Sequence, residues 1–198
     1  MKIGRMVGLA LVLAVLASPV AAQLGSDGEK FLDAVRKSDG NAATELINAP
    51  GSTVVNYRGY QGDTGLIIAA GRRDYDWLAF LLGKGADPNA PGAGGDTALI
   101  SASRIGFDEG VLILLKMRAK VDLANKLGET PLIVAVQQRH PEIARYLLES
   151  GANPDKADHA AGYSARDYAK QDRRSNELLK LIESVKPVTK ASIGPSIK

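Results

Sequence analysis

A spacing of 33 residues constrains this chain more than any other feature of its sequence. Three segments align without gaps at that interval, beginning Gly62-Asp63-Thr64-Gly65-Leu66, Gly95-Asp96-Thr97-Ala98-Leu99 and Gly128-Glu129-Thr130-Pro131-Leu132. Ala69, Ala102 and Ala135 keep the same register. So do the leucine pairs at 81–82, 114–115 and 147–148, and Ala86, Ala119 and Ala152. A unit of this length cannot bury its apolar face alone and must stack on its neighbours. A fourth copy, one residue longer, starts at Gly162, with Ser164, Ala169 and Leu181 in the threonine, alanine and leucine places. A degenerate copy upstream matches at Ala34, Leu46-Ile47 and Asn56. About five units therefore run over 28–61, 62–94, 95–127, 128–161 and 162–185.

Each unit reads the same way. Thr64 caps a helix by accepting from a backbone N–H of its first turn. A short apolar stretch runs to Ala70, and the polar break Arg72–Asp74 ends it. A second helix follows from about Asp76 to Gly83, with Trp77, Leu78, Leu81 and Leu82 at helical spacing. Gly85 suits the left-handed position past a helix end, and a turn-rich stretch from Asp87 to Gly95 leads onward. Pro141 sits at a helix start, where its missing N–H costs nothing. The fold class is all-α, built from helix–turn–helix units with hairpin-like loops.

The Thr-Pro-Leu run at 130–132, the Gly-Ala-Asp-Pro-Asn run at 85–89 and its variant Gly-Ala-Asn-Pro-Asp at 151–155 resemble those of ankyrin-repeat proteins. The resemblance covers about 155 residues. It implies a solenoid whose concave face, made of hairpin tips and inner-helix sides, binds a protein without catalysis. The chain departs from the family at three places. Ile67, Ile100 and Ile133 replace the histidine that bonds between loops, so apolar packing is expected there. Arg118 stands where Gly85 and Gly151 lie, so that helix end is expected to be strained or rebuilt. The glycine-rich Pro91–Gly95 tip is expected to be mobile.

The N-terminus reads as an address. Lys2 and Arg5 precede an apolar run from Val7 to Ala17, broken by Ser18-Pro19 and followed by Val-Ala-Ala at 20–22. That order marks a signal peptide over 1–22, cut after Ala22, and an exported bacterial protein of the periplasm or outside. An uncleaved anchor is the alternative, but the unbroken apolar core falls short of the roughly 20 residues a span needs. Without a cysteine, no lipid anchor follows. Between 23 and 185 there are 20 basic and 22 acidic residues, so the high pI belongs to the ends, including the basic tail 186–198, which is expected to be flexible. Nucleic-acid binding is not expected of such a body.

The absence of cysteine removes thiol nucleophiles, cysteine zinc sites and iron–sulfur clusters. The only histidines are His140, in an inter-helix turn, and His159, at a hairpin tip. Pro91–Gly95 lacks the Lys-Ser/Thr of a phosphate loop. Asp155 and Asp158 read as turn residues rather than calcium ligands. No catalytic residue, metal or cofactor is expected.

The family's binding face maps by register onto Arg36, Lys37, Tyr57 and Arg58, then Tyr60, Gln61, Arg72 and Arg73. It continues through Arg104, Ile105, Lys126, Leu127, Gln137 and Gln138. Arg36, Lys37, Arg72, Arg73 and Arg104 end three successive inner helices and suggest a basic stripe for an acidic partner. The helix dipole alone also favours cations there. Asp63, Asp96 and Glu129 recur just before each capping threonine. The leading expectation is a monomeric adaptor for a protein partner. The alternatives are a small-molecule binder or enzyme using the groove, and an accessory factor protecting a periplasmic enzyme or neutralising a toxin.

Overall fold

The computed structural model describes residues 19–172 and 176–184, with side chains from Gly25 onward. The greater part of the expected leader and the tail 186–198 lie outside these residues. Helices α1 (Pro19–Lys37), α3 (Gly65–Gly71), α5 (Ala98–Ile105), α7 (Pro131–Gln137) and α9 (Ala165–Gln171) form an inner row, each packed on the next. Helices α2 (Gly40–Asn48), α4 (Tyr75–Gly83), α6 (Asp108–Lys116), α8 (Pro141–Glu149) and α10 (Asn176–Ser184) follow them as an outer row. The first unit adds a short 3-10 turn at Val54–Asn56. Among the described residues the only β pairing is an isolated bridge between Ala157 and Ser164. The all-helical solenoid of five helix pairs is what the repeat dictated.

Small residues let the inner helices approach. Ala69, Ala102 and Ala135 are almost fully buried between neighbours, as are Leu66, Leu99 and Leu132. Leu81, Leu114 and Leu147 of the outer row close the same core from behind. Burying one such leucine is worth about 2 kcal/mol, so the array's cohesion comes from this repeated layer. Thr64, Thr97 and Thr130 each accept from the backbone N–H three residues on, at 3.2–3.3 Å. Ser164 does the same within a capping box completed by Asp167.

The turns repeat as strictly as the helices. Ser38, Arg73, Gly106 and Arg139 adopt positive φ at the ends of inner helices. Gly85, Arg118 and Gly151 do so past outer ones, with φ +63° at Arg118. The expected strain at Arg118 is present, since a side chain there costs about 1–2 kcal/mol of backbone energy. The expected apolar substitution also holds. Ile100 and Ile133 are fully buried, and Ile67 packs beneath Gly92 of the next loop.

Units are also stitched at the base of the loops. Asn56 Oδ1 accepts from Asp87 N at 2.7 Å, Asn89 Oδ1 from Lys120 N at 2.7 Å, and Asp122 Oδ1 from Asn153 N at 3.0 Å. One residue at a 33-residue interval thus satisfies the chain just past α4, α6 and α8.

Candidate functional site

The hairpin tips form one continuous edge. Gly59, Gly92, Asn125 and Asp158 open successive loops, and each N–H donates across its own loop, to Asp63, Asp96, Glu129 and Tyr163 respectively. Successive tips are bonded as well: Lys126 N donates to Gly94 O at 3.0 Å, and His159 N to Leu127 O at 2.8 Å. The left-handed glycines 62, 95 and 128 lie at these contacts, where a Cβ would fall within 2.8 Å of the next tip's backbone. The Pro91–Gly95 tip, expected to be mobile, is instead tied into this edge.

Asn125, itself buried, is the centre of a half-buried polar network. Its amide nitrogen donates to Asp96 Oδ1 and Glu129 Oε2, both at 2.7 Å. Its Oδ1 accepts from Leu127 N and Glu129 N. Arg104 closes the cluster, 2.9 Å from Asp96 and 3.6 Å from Glu129. One unit on, Asp158 holds its loop by accepting from the backbone N–H groups of Ala160, Ala161 and Gly162 and from the Tyr168 hydroxyl at 2.6 Å. Burial pushes the Asp158 carboxyl up, but these donors together hold it below the ordinary aspartate value. The same bond, together with burial, raises the Tyr168 phenol. Sequence reasoning missed Asn125, because its place is glycine in the two preceding units. The one available signal was a polar residue at both 125 and 158.

The basic row is engaged within the chain. Arg72 reaches back along the stack to cap α1, donating to Val35 O at 3.1 Å, to Arg36 O and to Ser38 Oγ. Arg73 reaches forward to Ile105 O at 3.3 Å and lies over the Phe107 ring. Arg36 pairs with Asp63 at 3.4 Å, and Lys37 with Asp33 at 2.7 Å. The recurring acids and the helix-end bases therefore answer one another, and the five cations are not a row of unengaged anchors. Arg58 spans two tips, donating to Gly62 O and Gly92 O. With Pro91, Gly92, Leu123 and Lys126 it borders an open cleft of about 360 Å³.

Arg36, Lys37, Arg72 and Arg73 are nonetheless exposed, and other groups are exposed beside them. Tyr60 is 85% exposed at the first tip, and Leu127 is 56% exposed at the third. Gln61, Lys126 and Gln138 are also exposed, whereas Ile105 and Gln137 are half-buried. Tyr57 packs on Gly28, and its hydroxyl lies 3.4 Å from Glu29, which also accepts from Tyr60 N at 2.8 Å. Burial and that carboxylate raise the Tyr57 phenol. His140 packs on Gly106 between units, and His159 is exposed at its tip. Among the described residues no cluster of His, Cys, Asp and Glu could hold a metal ion, and no helix is long and apolar enough to cross a membrane.

Residues 66–158 match the family described as ankyrin repeats (3 copies), and this stretch therefore carries ankyrin repeats. It is 36% identical over 107 residues to the ankyrin repeat and KH domain-containing protein mask-1 of Caenorhabditis elegans, covering 53% of this chain and 4% of that protein. It is 34% identical over 125 residues to the probable E3 ubiquitin-protein ligase XBOS33 of Oryza sativa subsp. japonica, covering 62% and 24%. The human ankyrin repeat domain-containing protein 63 is 27% identical over 124 residues, covering 61% and 33%. The chain thus spans a third or less of the length of each of these relatives.

Proposed function

We propose, from the ankyrin repeats this chain carries, that it is a non-catalytic adaptor, exported to the periplasm after cleavage at Ala22, that grips a protein partner along its hairpin tips. The observation that carries this reading is the pairing of rigidity with exposure. Tyr60 and Leu127 project from tips whose backbones are bonded to their neighbours or to α1. A side chain held out on an ordered loop loses little freedom on binding, and tyrosine is favoured at interface centres. Arg58 and Arg104 serve mainly to set the spacing of the tips, and Arg72 and Arg73 to tie the ends of successive inner helices. A contact of about 1,600 Å² in total is expected, of the size that specific complexes form.

The test is in-cell cross-linking followed by mass spectrometry, with the wild type and a Tyr60→Ala, Leu127→Ala double variant. The expected result is one dominant protein partner, lost in the variant while its melting curve stays unchanged. Equal capture by both forms would overturn the role of the tips. Intact mass of the exported protein, expected to begin at Gln23, checks the leader. The cleft beside Arg58 and Lys126 favours a second reading, a small anionic ligand. That reading requires a ligand-induced rise in Tm abolished by Lys126→Ala.

A further inference from the structure

The outer row carries a second apolar patch, which shares no residue with the tips. Tyr75, Leu112 and Met117 are each between 42% and 47% exposed. With Ile113 they line an open groove of about 460 Å³ between α4 and α6, bounded by Glu109 and Lys116. Single exposed leucines are ordinary. What is unusual is this helix compared with its equivalents. Leu112 takes the place that Arg145 holds in α8 and Ala79 in α4. In α8, Arg145 is paired with both Glu142 and Glu149 of its own helix and lies over Tyr146. The same three places in α6 hold Glu109, Leu112 and Lys116, and neither charge has an ion-pair partner among the described residues. A self-satisfied triad has been replaced by an apolar residue flanked by two unanswered charges of opposite sign.

We propose that this face binds a second copy of the chain, with α6 packed antiparallel on α6 across a two-fold axis. Glu109, Leu112, Ile113 and Lys116 lie on one stripe of the helix, at the spacings that place side chains on a common face. An axis passing between Leu112 and Ile113 brings Glu109 of one copy opposite Lys116 of the other, and the reverse. The two charges stand about 10 Å apart along each helix, and antiparallel pairing superimposes one order on the other. The stripe is therefore complementary to itself, which is what a two-fold contact requires and an arbitrary partner does not. Tyr75 and Met117 flank the seam and extend its apolar area. The sequence alone suggested a monomer; the charge order of α6 points to a concentration-dependent pair.

Sedimentation equilibrium of the full mature chain tests this over about 1 to 500 μM, a range in which a weak dimer is populated. The expected result is a mass rising toward twice that of one chain. Leu112→Arg, the residue its α8 equivalent already holds, is expected to weaken association at least roughly tenfold with Tm unchanged. Glu109→Lys and Lys116→Glu are each expected to weaken it, and the two together to restore it. A single-copy mass throughout would overturn the proposal. So would a dimer indifferent to Leu112→Arg, which would place the contact elsewhere, or a charge swap that fails to restore.

Discussion

Every residue from Pro131 to Val136 in α7 is buried, whereas α8, its partner in the same unit, buries only Ile143, Ala144, Leu147 and Leu148. The two helices have similar lengths but different neighbours. A central inner helix such as α7 is pressed between two other inner helices and its own outer partner. An outer helix meets the core along one stripe and leaves the rest in water. The inner row can therefore vary little, and the outer row can carry Leu112 in one unit and Arg145 in the next without disturbing the stack.

The sharpest way to break this contrast is to place the same charge in both rows. Ala102→Asp buries an unpaired carboxylate and is expected to unfold the array, at a cost of 3 kcal/mol or about that, seen as loss of helical circular dichroism. Ala79→Asp, half-exposed on α4, is expected to lie within about 0.5–1 kcal/mol of the wild type. Asn125→Leu probes the tips. It strips two donors and two acceptor bonds from a buried site, and a loss of about 2–3 kcal/mol in urea titration is expected.

Acid provides the next contrast, between the last units and the rest. The hydrogen bonds of Asp158 and Asp167 keep both carboxyls below the ordinary value of 3.8. A carboxylate depressed in the folded state contributes stability above its unfolded pKa and loses it as pH falls through the folded one. Hydrogen-exchange protection over 157–172, taken relative to the intrinsic rate at each pH, is therefore expected to fall below about pH 4, before protection over α5 and α7 does. Asp158→Asn is expected to weaken that acid dependence, and an unchanged profile would refute its origin.

The smallest changes run in the stabilising direction. Ser103 Oγ is buried in α5 with no hydrogen-bond partner among the described residues, where the equivalent residues are Ala70 and Val136. Ser103→Ala is expected to gain about 1 kcal/mol. Arg118→Gly is expected to gain about 0.5–1 kcal/mol by relieving its positive φ, since the equivalent Gly85 and Gly151 sit in open space. Both are read as a rise in Tm.

How much of this was legible in the sequence follows the same contrast. The capping threonines, the small alanines and the paired leucines were readable because each recurs at one interval, and periodic features betray periodic structure. The basic row was visible as residues but not as bonds. Arg36 meets Asp63 across 27 residues, and Arg72 meets the carbonyl of Val35 across 37. No local spacing announces either contact. Asn125 was invisible because it occurs in one unit only: three of its bonds close its own loop, and the fourth exists only once Asp96 of the preceding loop is in place. The outward direction of Leu112 was marked only indirectly, by Glu109 and Lys116 on its stripe and by Arg145 at the equivalent place of the next unit.

The ladder formed by Asn56, Asn89 and Asp122 joins each unit only to the one that follows. Such a molecule, pulled along its stack, has no long-range tether among the described residues to share the load. It should rupture link by link, as a sawtooth of similar steps rather than one large event. A protein of this design would behave as a short elastic strap, able to lengthen by single units and to recoil.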